Sequence, residues 1–167
     1  HHFSGPDGAA PAAQAPSILA DGSICGMTCG GGAYGQGVVF AFTPGRQGTG
    51  GEVRVLGSLH HSAGRQVMLA AGADGLLYAA ATNDEDSWIF RCDAKLQNAL
   101  TQISCYPRHT PKPNPGPQAG PGRLAVGRDG WLYGACYDGG KFGHGTIFRW
   151  KEDLPTETML KDRKSTR

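Results

Sequence analysis

Short apolar runs separated by turns rich in glycine and aspartate follow one another along this chain. In residues 52–60, Val53 and Val55 alternate with Arg54 and Leu56, which is the two-residue period of a half-buried strand. A helical period is nearly absent, and residues 94–100 are the best helical candidate. The pattern therefore predicts an all-β protein built from short strands.

Twelve strands are predicted, and they fall into three groups of four. The predicted strands are 16–20, 24–28, 38–42 and 52–60, then 67–71, 76–80, 88–92 and 100–106, and finally 122–126, 131–136, 146–150 and 156–160. Asp-Gly pairs stand before the second strand of each group, where Gly accepts positive φ and Asp bonds to its own backbone. These pairs predict hairpin turns.

The three groups are versions of one repeat. The segments from Asp21 to Phe40 and from Asp129 to Phe148 have equal length, whereas the copy from Asp74 to Phe90 is shorter. The Asp-Gly pairs recur at intervals of just over 50 residues. An interval of roughly 40 to 50 residues or slightly more is typical of propeller blades and other repeat arrays.

The repeats divide the chain into one repeat domain with five parts. Residues 1–8 are interpreted as the tail of a preceding repeat, because His1-His2-Phe3-Ser4-Gly5 resembles residues 59–64. Residues 9–61 form repeat 1 and 62–106 repeat 2, and 123–167 hold repeat 3 with a basic tail. Residues 107–122 are a proline-rich insertion, expected to be an extended surface loop, with a ligand for a proline-recognising groove as the alternative.

Composition narrows the class of protein further. The 27 Gly and 11 Pro among 167 residues fit short strands joined by tight turns. A net charge of +2 is too weak to indicate a nucleic-acid partner, and no apolar run reaches the ~18 residues of a membrane span. Five cysteines without zinc-binding spacing do not form a disulfide framework. Cys25 and Cys92 are expected to be apolar filler, and one long-range disulfide stays open.

The first and third repeats resemble a known tandem repeat of the form D-G-x-L-Y-G-x-T-x-x-G-G-x-x-G-x-G-T-V-F-x-x-T-P. The similarity is strongest over residues 38–44 and 145–148, and residues 1–8 are similar to the usual lead-in of that repeat. The family is the Gloeobacter/Verrucomicrobia repeat of anchored extracellular bacterial proteins. The middle copy departs from it, with Ala79 in place of Gly and residues 83–86 in place of the double Gly. The resemblance implies a β-propeller-like array, a secreted or surface location (cell surface or periplasm), and no catalytic residues.

A β-propeller-like array of about three four-stranded blades is too small to close, since propellers have four to eight blades. Either two copies of this chain form a homodimer that closes a six-bladed ring, or the chain is part of a longer array. Another protein subunit is the alternative partner. No cofactor is expected.

Aromatic and polar residues in the repeated loops are the best candidates for ligand binding. Aromatic faces beside amide and imidazole groups suit sugar rings or peptides, and packing between blades is the alternative for the larger rings. The candidate residues are Tyr34, Gln36, Trp131, Tyr137, Phe142 and His144.

The sequence gives weaker signals for phosphate binding, calcium binding and catalysis. The Gly-rich stretch 30–37 precedes a strand rather than a helix, so phosphate binding is not expected there. Asp84 and Asp86 are weak candidates for calcium ligands, with an exposed acidic turn as the alternative. The leading hypothesis is a non-enzymatic module for binding a glycan or protein, or for assembly. An accessory structural subunit is one alternative, and a polysaccharide hydrolase or lyase using carboxylates such as Asp138 and Glu152 is another.

Overall fold

The structure, a computed structural model, describes residues 1–12, 16–45, 50–61, 66–72, 75–82, 86–96, 100–107, 121–136, 142, 144–151 and 158–162. These residues form strands, turns and loops but no helix, and none of them belongs to a helix that could cross a bilayer. The predicted all-β class is confirmed. Of the helical candidate, residues 94–96 form a turn and 97–99 lie outside the described residues.

Sheet 1 contains five antiparallel strands. Its strands are β1 (Ala9–Pro11), β2 (Ser17–Ile18), β3 (Ile24–Gly30), β4 (Val38–Pro44) and β5 (Gly51–Ser58). Both β1 and β2 pair with β3, at opposite ends of that strand, so together they form a single interrupted first strand. The strand β1 was not among the predicted strands.

Sheets 2 and 3 each contain four antiparallel strands in chain order. Sheet 2 comprises β6 (Gln66–Ala71), β7 (Leu76–Thr82), β8 (Asp86–Asp93) and β9 (Thr101–Pro107). Sheet 3 comprises β10 (Pro121–Val126), β11 (Leu132–Cys136), β12 (Thr146–Trp150) and β13 (Thr158–Asp162). Each predicted strand overlaps one of these, and residues 108–120 of the predicted insertion lie outside the described residues.

The same kind of turn joins the first two strands in each of the three sheets. In each, the Gly of the Asp-Gly pair has positive φ, with values of 83° at Gly22, 85° at Gly75 and 75° at Gly130. Its amide donates to the carbonyl three residues earlier, at 3.0 Å, 3.1 Å and 3.0 Å respectively. A side chain with a Cβ would strain this left-handed conformation, so glycine at this place follows from the turn geometry.

The sheets also share a β-bulge beside the repeated Phe. The pairing of the third and fourth strands shifts between Val39 and Phe40, between Ile89 and Phe90, and between Ile147 and Phe148. In each sheet the fourth strand carries one extra residue at the shift. These extra residues are Leu56, Ile103 and Leu160.

The sheets pack face to face in chain order. Alternation along a strand gives each sheet two faces. We call the face that carries the repeated Phe the Phe face, and the other the forward face. The Phe faces include Gly26, Phe40 and Phe42 in sheet 1, Ala79, Phe90 and Cys92 in sheet 2, and Gly134, Phe148 and Trp150 in sheet 3. The forward faces include Cys25, Met27 and Val39 in sheet 1, Tyr78, Ala80 and Ile89 in sheet 2, and Tyr133, Ala135 and Ile147 in sheet 3.

Two hydrophobic clusters join the stack, and both use the same pair of faces. The first cluster joins the forward face of sheet 1, including Met27 and Val39, to the Phe face of sheet 2 with Phe90. The second joins the forward face of sheet 2, including Ile89, to the Phe face of sheet 3 with Phe148. Sheet 2 is therefore buried on both sides, and the stack has a direction.

Candidate functional site

The loop between β3 and β4 places Tyr34 in solvent. Its side chain is 54% exposed, and its ring centroid lies 4.0 Å from that of His60, which follows β5. The next residue, His61, stacks on Trp88 of sheet 2 with centroids 4.9 Å apart and planes only 2° apart. We call the exposed residues Tyr34, His60 and His61 the aromatic ridge, which rests on the buried Trp88 of sheet 2 through His61.

The same loop is held by its own backbone. The amides of Gly32, Gly35 and Gly37 donate to carbonyl oxygens at Gly5, Gly32 and Gly31, and the Ala33 amide donates to Ser58 Oγ at 3.0 Å. A phosphate would need such amides unpaired and pointing at it. The loop is therefore a rigid support for Tyr34 and not an anion cradle. Gln36, a half-buried residue, forms a bridge with Gly31 within it.

The structure separates the residues predicted to bind a ligand. Phe142 is 40% exposed and His144 is exposed, both in the loop between β11 and β12, which is equivalent to the loop of Tyr34 and Gln36. These four residues lie at corresponding ends of sheets 1 and 3. Trp131 lies at the other end of β11, next to the Asp-Gly turn, and Tyr137 lies outside the described residues.

The ring of Trp131 carries cations on its face. The Arg149 guanidinium carbon lies 4.2 Å from the ring centroid and the Lys151 ammonium nitrogen lies 5.9 Å from it. These distances fit cation–π contacts. Because Arg149 covers the indole face, Trp131 is a less suitable platform for a sugar ring than Tyr34.

A hydrogen-bonded pair lies beside this contact. Tyr133 donates its hydroxyl to Asp129 Oδ2 at 2.7 Å, and the Trp131 amide donates to Oδ1 of the same carboxylate at 3.2 Å. The bond from Tyr133 and then the amide hydrogen bond hold the pKa of Asp129 below its ordinary value. The same bond raises the pKa of Tyr133. This carboxylate is ionised and occupied by the turn, so it serves the structure of the turn.

An apolar cavity of about 340 Å³ lies against the Phe face of sheet 1. Phe40, Phe42 and Val53 line it from the sheet. Phe3 closes part of it, because its ring contacts Phe40 edge-on with centroids 5.2 Å apart. His1 packs edge-on against Phe3 and its Nε2 lies 2.7 Å from Asp7 Oδ2. Residues 1–7 thus form a strap over part of the Phe face of sheet 1, whereas the preceding sheet covers the equivalent faces of sheets 2 and 3.

The forward face of sheet 3 is more exposed than the forward faces of sheets 1 and 2. Val39 is 0% exposed and Ile89 is 1% exposed, whereas Ile147, at the same place in sheet 3, is 46% exposed. Ala135 is also exposed, while its equivalents Met27 and Ala80 are buried. The forward face of sheet 3 is therefore uncovered among the described residues.

The four cysteines whose side chains the structure describes are free thiols. Cys25, Cys92 and Cys136 are buried thiols, and Cys29 is half-buried, none of the four being paired. Burial raises the pKa of Cys25 to about 11 and that of Cys136 to about 12. Burial and then the nearby Cys25 raise the pKa of Cys92 to about 12. The expectation that Cys25 and Cys92 act as apolar filler is confirmed by this burial.

Several predicted groups cannot be located. Asp84, Asp138 and Glu152 lie outside the described residues, and of Asp86 only the backbone is described, at the start of β8. Within the described part of the chain, no three His, Cys, Asp or Glu side chains converge as a metal-binding set.

In the sequence, His60 and His61 belong only to the segment 59–64 that resembles the start of the chain, and Trp88 belongs to a predicted strand. Their position could have been inferred, because the end of β5 and the loop of Tyr34 meet at the same end of an antiparallel sheet. The open forward face of sheet 3 could not be inferred in the same way, since the exposure of Ile147 depends on whether another sheet packs against it. The chain matches no protein-family model, no curated protein and no solved structure.

Proposed function

We propose that this chain is a non-enzymatic β-propeller-like repeat module, secreted or displayed at the cell surface, that binds a glycan or protein ligand at its loop ends. The aromatic ridge is the observation that carries this proposal. Tyr34 presents more than half of its side chain to solvent from a loop whose backbone is fixed. A held aromatic ring loses little conformational entropy on binding, which favours contact with a sugar face or a peptide.

Four facts support the propeller-like part of the proposal. The sheets share the direction of their strands, the bulge at the repeated Phe, and one pair of packing faces. The first strands β2, β6 and β10 are also neighbours across the stack. Innermost strands lie next to one another in this way when blades are arranged radially.

Replacing Tyr34 with Ala tests the binding proposal. We expect binding on an array of polysaccharides and glycoproteins to fall about five- to tenfold, since removing one stacked ring costs on the order of 1–1.5 kcal/mol. The matched control is Leu96→Ala, because Leu96 is 56% exposed in the turn after β8, away from the ridge. Equal loss in both variants, or no glycan or protein bound by the original chain, would refute the proposal.

An accessory structural subunit is the second candidate function, and the open forward face of sheet 3 favours it. Such a subunit would bind its partner through Ile147 and not through Tyr34. Capture of one stoichiometric protein that is lost on changing Ile147 and kept on changing Tyr34 would select this candidate.

A further inference from the structure

The two ends of the stack are complementary, and we propose that the forward face of sheet 3 docks on the Phe face of sheet 1 of a second copy of this chain. This inference goes beyond ligand binding and rests on the stacking of the sheets alone. Loss of ligand binding at the ridge would leave it unaffected.

The argument starts from the two interfaces that the chain already contains. In both, a forward face meets a Phe face, and the residue before the repeated Phe is buried. Val39 fills this place between sheets 1 and 2, and Ile89 fills it between sheets 2 and 3. Ile147 is the third member of the series, an aliphatic residue that is 46% exposed on a face that none of the described residues covers.

The Phe face of sheet 1 is less covered than the Phe faces of sheets 2 and 3. Phe90 and Phe148 are 3% and 2% exposed because the preceding sheet covers them. Among the described residues no sheet precedes sheet 1 in the stack, and Phe40 is only half-buried, beside the cavity of about 340 Å³. The cavity therefore lies on the face to which a forward face docks elsewhere in the stack.

One pair of positions predicts a specific contact between copies. Cys25 on the forward face of sheet 1 lies near Cys92 on the Phe face of sheet 2. Tyr78, which takes the place of Cys25 in sheet 2, contacts Trp150 of sheet 3 with ring centroids 6.4 Å apart. Tyr133 takes the place of Tyr78 on the forward face of sheet 3, and Phe42 takes the place of Trp150 on the Phe face of sheet 1. Tyr133 of one copy is thus expected to contact Phe42 of the other, as an aromatic pair like Tyr78 and Trp150.

A second copy fits better than an unrelated protein, because both faces have already met faces of their own kind within this chain. The strap formed by residues 1–7 covers only part of the Phe face, through Phe3 on Phe40, and docking replaces that contact. Two copies joined in this way at both ends form a closed particle of six sheets, in which neither end face stays exposed.

Two variants that each block one face provide the test. Ile147→Arg places a charge on the forward face, and Val53→Arg places one on the Phe face of sheet 1. We expect light scattering to give a dimer for the original chain, twice the 17.5 kDa of one copy, and a monomer for each variant alone. Mixing the two variants restores a dimer, because one unblocked face of each kind remains. Leu96→Arg is the control and stays dimeric.

The mixing result also separates this contact from other dimers. A dimer of two forward faces would leave Val53→Arg dimeric by itself, and that outcome overturns the proposal. A monomeric original chain, or a mixture that stays monomeric when both variants fold, overturns it as well.

Crosslinking provides a measurement that does not depend on a charged variant folding. Chains carrying Tyr133→Cys and chains carrying Phe42→Cys are mixed and oxidised, and a covalent heterodimer is expected on a non-reducing gel. Leu96→Cys mixed with Phe42→Cys is the matched control and yields only background crosslinking through the native thiols. Equal crosslinking in the two mixtures contradicts the predicted contact.

Discussion

Gly57 of sheet 1 lies against Leu100, the residue that precedes β9 of sheet 2. A Cβ at this place would lie 2.4 Å from the Cβ of Leu100, far inside the contact distance of two carbon atoms. Its φ is not in the left-handed region, so the requirement for glycine comes from the neighbouring sheet and not from the turn geometry. The sequence shows this glycine only as a break in a strand pattern.

We therefore expect Gly57→Ala to lower the free energy of unfolding by about 1–3 kcal/mol, the usual cost of overpacking. Urea unfolding followed by tryptophan fluorescence measures the change. Gly30→Ala is the control, since its added Cβ would meet nothing closer than 3.7 Å. A Gly57→Ala chain as stable as the Gly30→Ala chain would show that the two sheets separate easily.

Buried thiols make the stability of the chain sensitive to alkaline pH. Burial raises the pKa of Cys136 from 9.0 to about 12, so the folded state keeps this thiol neutral where the unfolded chain ionises it. The contribution is fully present below pH 9 and is lost as the pH rises from 9 towards 12. It amounts to at most about 1.4 kcal/mol for each pH unit.

Cys136→Ala is expected to flatten the fall in stability between pH 9 and pH 11, although it lowers stability at pH 7 by removing a packed side chain. The measurement is the midpoint of urea unfolding at several pH values. Cys29→Ala provides the comparison, because Cys29 is only half-buried whereas Cys136 is buried. Parallel slopes for all three chains would contradict this assignment.

At the level of the elements, Arg54 joins two sheets. From β5 its guanidinium donates from Nη2 to the carbonyl oxygen of Ala94 at 2.6 Å and from Nη1 to that of Lys95 at 3.0 Å. Both carbonyls belong to the turn after β8, and the Asp93 carboxylate fixes that turn by accepting from the Lys95 amide at 2.8 Å. A charged residue in an alternating strand is thus a link between sheets.

Arg54→Ala is expected to lower the free energy of unfolding by about 1–2 kcal/mol, since a partly exposed, charge-assisted pair of hydrogen bonds is lost. Arg54→Lys should recover part of that loss, because an ammonium group can reach one carbonyl but cannot bridge two in a planar fork. Thermal unfolding of the three chains measures the order. Equal melting temperatures for Lys and Arg would show that the fork geometry is unimportant.

The elements were predictable where local pattern determines them. Apolar runs and Asp-Gly pairs located the predicted strands, because both signals act within a few residues. The bulges escaped prediction, although Leu56, Ile103 and Leu160 recur as aliphatic residues in the fourth strands. A bulge is defined by how two strands pair, and the pattern of apolar residues along one strand does not specify its register with the next strand.

For the whole molecule, the sequence indicated three repeats but not the use of their faces. The forward and Phe faces both carry large apolar residues in each repeat, as Ile147 and Phe148 illustrate. Pattern alone therefore does not show which face meets which sheet. For the ligand-binding candidates, the equivalence of the loops of Tyr34 and His144 followed from the repeat. The cover of Arg149 on Trp131 required the three-dimensional structure.

The contact between unlike faces determines how further copies of the chain can add to an assembly. Contact between unlike faces leaves one face of each kind free at the ends, so every added copy recreates the place where the next one binds. Such addition stops only when the last copy meets the first. The angle between successive sheets, fixed by contacts such as Gly57 against Leu100, thereby decides between a finite particle and a fibre.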